Sequence, residues 1–246
     1  MKTAKQIVLS IVLILFSTAS YAQNVDAILA KYFENTGGLE NWKKLKSMKM
    51  VGKSSFGPQE FPFEMEMKYP AMFRINVDIQ GQKLVQASDG TTAWMINPFQ
   101  GGTEPQKLPD DMAKEFLDQR FESEFVDYKK KGHEVTLEGE EEIDGVKCFK
   151  VKLEKNKNND KEDVTEFHFF DKENYVPIMV TSFARSGPNK GTESNQYFSD
   201  YQEVEGYVVP FFMETKVNGQ SFQKLTFESY LLNQAVEDSI FAFPKK

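Results

Sequence analysis

The chain has one cysteine, Cys148, and two histidines, His133 and His168, in 246 residues. A single cysteine excludes any disulfide within the chain, so side-chain packing alone must hold the fold together. The histidines have no His or Cys partner at ligand spacing, which excludes the common zinc sites. Gly-x-Ser-x-Gly elbows, Walker-type loops and dinucleotide fingerprints are also missing, so no cofactor is expected. Basic residues are in deficit: 30 Lys and Arg against 37 Asp and Glu give a net charge of −7. That balance excludes a nucleic-acid partner, because phosphate contacts need basic patches. Long apolar runs are lacking too. The stretch from Ile7 to Phe16 is about half of the roughly 20 residues that a membrane-spanning helix needs.

Lys2 and Lys5 precede that run, and small residues ending in Ser20-Tyr21-Ala22 follow it. This is the three-part order of a secretory signal, with cleavage expected after Ala22. No cysteine lies near the cleavage site to carry a thioether-linked lipid. Residues 1–22 are therefore read as a signal peptide and 23–246 as one exported, soluble domain. Removing the signal takes away two lysines and no acid, which moves the charge from −7 to −9. A chain of about 224 residues buries roughly 70 % of its unfolded surface. That is enough for a core without a disulfide.

What the sequence does have is apolar bulk, with 22 Phe, 9 Tyr and 10 Met. Val25, Ile28, Leu29, Tyr32 and Phe33 form an amphipathic helical stripe, with Asn24 as N-cap and Gly37-Gly38 as the stop. Leu39, Trp42 and Leu45 continue at helical spacing. Then the period changes to two. Met48, Met50, Gly52 and Ser54 alternate with Lys49, Val51 and Lys53; Phe61, Phe63, Met65, Met67 and Tyr69 alternate with Pro62, Glu64, Glu66 and Lys68. Phe73, Ile75, Val77 and Ile79 oppose Arg74, Asn76 and Asp78. These are half-buried antiparallel strands with charges outside.

"SDGTTAWMINPF", Ser88 to Phe99, is apolar on both faces of its strand, Trp94 and Ile96 pointing one way and Ala93 and Met95 the other. "FQGGTEPQKLPDD" reads as a loop. A third helix follows, with Met112, Phe116, Leu117, Phe121 and Phe125 on its apolar face and Asp110 and Asp111 at its start. From His133 onward the pattern is strands again, with Asp144-Gly145 as a hairpin turn and "EKNKNNDKED" as a mobile hairpin tip. The expected fold class is α+β, mostly β: about eleven antiparallel strands in one curled sheet, with helices over its concave face.

Catalytic candidates are few. His133 and His168 are each expected in a strand, and Cys148 reads as a small inert core residue. Glu140-Glu141-Glu142 and Asp110-Asp111 read as solvated charge, since no calcium-loop order is present. Asp200 is a candidate buried carboxylate. No catalytic residue and no metal ligand is assigned, and the chain is not expected to be an enzyme.

At "KYPAMFRINVDIQGQKLVQASDGTTAWMINPF", Lys68 to Phe99, the sequence resembles the LolA-like periplasmic lipoprotein carriers. The positions are Pro70, Phe73, Asp89, Gly90, Trp94, Asn97, Pro98 and Phe99. "FSDYQEVEGYVVPFFMET" is similar to the C-terminal part of outer membrane lipoprotein-sorting proteins of the Bacteroidetes type. The resemblance implies a LolA/LolB-like curled antiparallel half-barrel with helices as a lid. It also implies a periplasmic location and an apolar cavity that shields lipoprotein acyl chains or another lipid from water. Partners would include membrane-bound donor and acceptor proteins. The carriers' arginine before the strand-ending proline, which contacts the lid, is Tyr69 here.

On the alternation of the strands, the cavity residues are Phe61, Phe63, Met65, Met67, Phe73, Ile75, Val77, Trp94 and Ile96, with Met112 and Phe116 in the lid. Methionine suits such a surface because it adapts to irregular apolar shapes. Two other readings stay open at this point: an envelope sensor or interaction module with a filled core, and a hydrolase of envelope lipid.

Overall fold

The computed structural model describes residues 25–100, 102–118, 120–155, 164–185 and 189–245. The signal segment, Asn24 and most of the charged turn at 154–163 lie outside the described residues. The described residues form two compact units, one within 25–35 and 127–180, the other within 36–126 and 181–245.

The first unit contains helix α1 (25–35) and strands β7 (Glu134–Ile143), β8 (Val146–Lys155) and β9 (Val164–Asp171). The α1 stripe is buried as its spacing predicts, through Val25, Ile28, Leu29 and Phe33. Tyr32 of the same helix meets Phe170 edge-on, ring centroids 5.5 Å apart. Strands β7 and β8 pair antiparallel around Asp144-Gly145, and both turn residues have positive φ. That is the two-residue turn an Asp-Gly pair favours. His133 sits just before β7, not in it, and donates its backbone N–H to Tyr128 O.

The second unit contains α2 (Leu39–Lys44), β1 (Ser47–Phe56), β2 (Gln59–Lys68), β3 (Met72–Ile79), β4 (Gln82–Ser88), β5 (Ala93–Asn97), β6 (Gly102–Lys107) and α3 (Asp110–Leu117). After the first unit's strands it adds β11 (Glu193–Val204), β12 (Tyr207–Val217) and β13 (Gln220–Leu232). Strand β10 (Pro177–Phe183) contributes its last residues here. Within this unit the strand order is β6-β5-β4-β3-β2-β1-β13-β12-β11, each neighbouring pair antiparallel.

The class is mostly β with few helices, as expected. The strands number thirteen among the described residues, against about eleven from the pattern. One of the additions is β6, inside the stretch read as a loop. It is an edge strand of exposed residues, paired on one side to β5. Only backbone pairing defines it, so no hydrophobic alternation announces it. The third helix is shorter than expected and stops at Leu117. Phe121 and Phe125 lie beyond it; Phe121 N–H bonds Pro70 O and its ring packs on the main apolar cluster.

One glycine is required where β1 crosses from β2 to β13. A Cβ on Gly52 would sit 2.1 Å from Thr226 O and 3.0 Å from the Phe63 ring. The β1–β13 register shifts at that point, between Val51 and Gly52. The bare backbone leaves room for the Phe63 ring and for the close approach of β13.

Candidate functional site: an apolar sheet face

Directly opposed residues in an antiparallel pair point to the same face of the sheet. In the second unit this rule carries one face from strand to strand. Met48, Met50, Gly52 and Ser54 oppose Met67, Met65, Phe63 and Phe61. Phe63, Met65 and Met67 oppose Val77, Ile75 and Phe73. On the other side of β1, Leu232, Tyr230, Phe227 and Leu225 continue it.

The centre of this face is fully buried: Met50, Phe63, Val77, Phe227 and Tyr230 among others. Phe63 meets Phe227 edge-on with ring centroids 5.6 Å apart, and the Tyr230 hydroxyl donates to Pro210 O. Burial pushes the Tyr230 hydroxyl well above the ordinary phenol range, so it stays a neutral donor. Around that centre lies a half-buried margin of Met48, Phe61, Met65, Met67, Phe73, Ile79, Leu84, Phe211 and Met213. Methionine and phenylalanine dominate it.

At the β5 end α3 lies over the same face. Ala93 and Ala113 are buried together there with Leu108, and Met95, Phe116 and Leu117 pack against them. The Phe116 ring lies 6.4 Å from that of Phe73. Met112, the other expected lid residue, is 48 % exposed.

Seven of the nine expected cavity residues therefore share one face. Trp94 and Ile96 do not. Trp94 opposes Ala87, and Ala87 opposes Arg74. That places Trp94 and Ile96 on the face of Arg74, Asn76 and Glu66, behind the sheet from Phe73, Ile75 and Val77. The shared face of the nine was an error of register across β4, where Gln86 and Ser88 interrupt the apolar alternation of their face. The residues of β5 on the Phe73 face are Ala93 and Met95.

The back of the sheet is covered by the chain's own C-terminal segment. Ser47 Oγ donates to Gln234 O, Lys68 Nζ to Val236 O at 2.7 Å, and Arg74 Nη1 to Ile240 O. Trp94, 1 % exposed, donates its Nε1–H to Phe241 O at 2.8 Å. The Trp94 ring meets Phe243 edge-on, and the Arg74 guanidinium lies 5.6 Å from the indole. The strand of Trp94 is apolar on both sides because α3 covers one and the C-terminal segment the other.

Catalytic chemistry is sparse among the described residues. No group of three His, Cys, Asp or Glu could hold a metal ion there. Asp200 is exposed, not buried, and accepts from Gln202 Nε2. Cys148 is fully buried, and burial pushes its thiol up to about 11. In the first unit Glu166 meets Lys155 Nζ at 2.7 Å and His168 Nε2 at 3.1 Å. Burial alone would raise its carboxyl, but the His168 hydrogen bond and the Lys155 charge outweigh that and hold it near about 2. This is a satisfied ion pair on a strand face.

A family described as "-like: Uncharacterized protein" matches residues 43–243. Among solved structures, a LolA superfamily protein from Nitrosomonas europaea is 12 % identical with a TM-score of 0.54, over 88 % of this chain and 96 % of that one. The chain belongs to the family matched over residues 43–243, which is most of its length. A DUF1329 family protein from Desulfovibrio piger is 13 % identical with a TM-score of 0.56, covering 87 % of this chain and 97 % of the other. A domain assigned to outer membrane lipoprotein sorting, from Vibrio parahaemolyticus, is 12 % identical with a TM-score of 0.53, over 87 % and 94 %. No curated protein matches. At these identities the likeness is one of fold, and it is the LolA-like fold expected from Lys68 to Phe99.

Proposed function

We propose that this LolA-like protein is a periplasmic carrier. In this reading residues 1–22 direct export, and the single domain 23–246 binds the acyl chains of lipoproteins, or of a similar lipid, for transfer toward the outer membrane. The observation that carries the reading is the apolar face of the second unit, with its buried centre and its half-buried margin of Met and Phe. The binding residues are Phe61, Phe63, Met65, Met67, Phe73, Ile75 and Val77, with Phe116 and Met112 in the covering helix.

Hydrocarbon needs no hydrogen-bond code. Each CH₂ removed from water contributes roughly 0.8 kcal/mol, so several acyl carbons against the margin give useful affinity with no covalent step. Methionine's flexible thioether accommodates chains of different shape. The reading calls for no cofactor and no catalytic residue. Membrane-bound donor and acceptor proteins belong to the same proposal.

The test is native mass spectrometry of protein purified without detergent, before and after incubation with a diacylated lipopeptide. A mass increment that denaturation releases as lipid or acylated peptide supports the carrier. A bare mass in both samples overturns it and favours an interaction module whose apolar face is filled by its own side chains. Release of a cleaved product from labelled lipid would overturn it in favour of a hydrolase.

A further inference from the structure

The strands of the second unit have two ends, and the exposed phenylalanines gather at one of them. The turns β1–β2, β3–β4, β5–β6, β10–β11 and β12–β13 all lie at the same end, because each follows a strand running in the same direction. Phe99 lies in the β5–β6 turn and is 54 % exposed. Phe183, 39 % exposed, ends β10, just before the hairpin closed by Ala184 N–H to Thr192 O. Phe222 follows the β12–β13 turn, is 61 % exposed, and meets Phe56 beside the β1–β2 turn edge-on at 6.4 Å. Tyr69, an exposed aromatic too, belongs to the opposite end.

Four of these five tips also lack charge, and the β10–β11 connection carries only the cations Arg185 and Lys190. Residues 54–59, 79–82, 97–100 and 217–223 contain no charged side chain, in a chain that is 27 % charged. The turns at the other end carry Lys68, Asp89 and Glu205. Charges stand just behind the tips, the lysines Lys53, Lys83, Lys216 and Lys224 outnumbering the acids Glu60 and Asp78. Glutamine, asparagine and glycine fill the turns between the aromatic rings.

We propose that this rim docks on a phospholipid bilayer surface, bringing the margin of the apolar face, through Phe61 and Ile79, to the lipid from which cargo enters or leaves. The inference rests on the carrier reading and names the partner of that site. Separate phenylalanines on separate hairpin tips suit a fluid interface, which needs no matching shape. A protein partner would have to meet each tip with its own pocket. Tips without a carboxylate enter the headgroup region without the cost of desolvating one, and Lys190 and the set-back lysines reach phosphates. Three or four rings give shallow, reversible attachment, which a carrier that must leave the membrane requires.

Flotation of the purified protein with vesicles of phosphatidylcholine alone tests the proposal. The wild-type protein should float with the vesicles. The double variant Phe99→Ser/Phe222→Ser should lose about tenfold or more of that binding, with unchanged far-UV circular dichroism and unchanged lipopeptide loading in detergent-free solution. Tyr69→Ser, at the opposite end, should float like the wild type. Met65→Asp should still float while losing the lipopeptide, which separates the rim from the binding face. Absence of flotation by the wild type, or flotation of the double variant at the wild-type level, overturns the proposal. If flotation fails on protein-free vesicles and appears only on vesicles made from native membranes, the rim meets a membrane protein and the bilayer proposal is wrong.

Discussion

The two faces of the second unit's sheet are both covered, and by opposite means. In front, Phe63, Tyr230, Phe227 and Val77 bury one another, with α2, α3 and Phe121 at the periphery. Behind, single cationic and indole groups reach from Lys68, Arg74 and Trp94 to the backbone carbonyls of Val236, Ile240 and Phe241. The front is made of side chains that tolerate rearrangement and leave a half-buried margin. The back is a strap held at specific atoms, where charges remain beside apolar rings. Glu66 shows the cost: burial raises its carboxyl, Glu64 raises it further, and Lys49 and Arg74 offset only part. The proposed binding role asks for a soft face, and a scaffolding role for a defined one.

The comparison breaks most visibly at Trp94. Trp94→Ala removes a fully buried indole and the anchor of the strap, and about 3–5 kcal/mol of stability should go with it. Urea unfolding measures that loss, and lipopeptide affinity per folded molecule should stay within about twofold. An equal loss of affinity would show that the two faces are coupled.

Acid stability tests the first unit. The Glu166 carboxyl is held down near about 2 in the folded chain, so its contribution is present above the ordinary carboxylate range and is lost as pH falls toward 2. The size is on the order of 3 kcal/mol. Glu166→Gln should therefore be less stable than wild type at neutral pH, and the gap should close between about pH 4.5 and 2, measured by chemical unfolding at each pH.

Arg74→Met keeps the stem beside Trp94 and deletes the bond to Ile240 O. It should cost about 1.5–3 kcal/mol and raise amide exchange in residues 236–243 without moving that of β13. The smallest effect belongs to the front margin. Met67→Leu conserves volume and should cost less than about 1.5 kcal/mol, while slowing exchange of bound acyl chains, because a branched side chain adapts less well than a thioether. Stopped-flow release of a fluorescent lipid would read it.

Much of this molecule was legible in one chain of letters. Period-two alternation in β1, β2 and β3 places Phe63, Met65, Ile75 and Val77 together, and the pairing of those strands agrees residue by residue. The α1 stripe and the Asp144-Gly145 turn are local signals and were read as such. Asp200 was misread because exposure depends on what covers a strand face, which alternation does not report. The strap behind Trp94 left no periodic mark at all. Its residues make contact through backbone carbonyls, which every residue possesses.

Local periodicity by itself determined which faces of β1 to β3 are apolar, that the class is mostly β, and where the first helix turns its stripe. It could do so because side chains alternate with the backbone's own geometry, independent of distant partners. The tertiary structure decided the rest: the edge pairing of β6, the register through β4 that sends Trp94 to the back, the early end of α3, and the strap of residues 233–243. Each of those depends on contacts between positions far apart in the chain, and no short-range pattern encodes them.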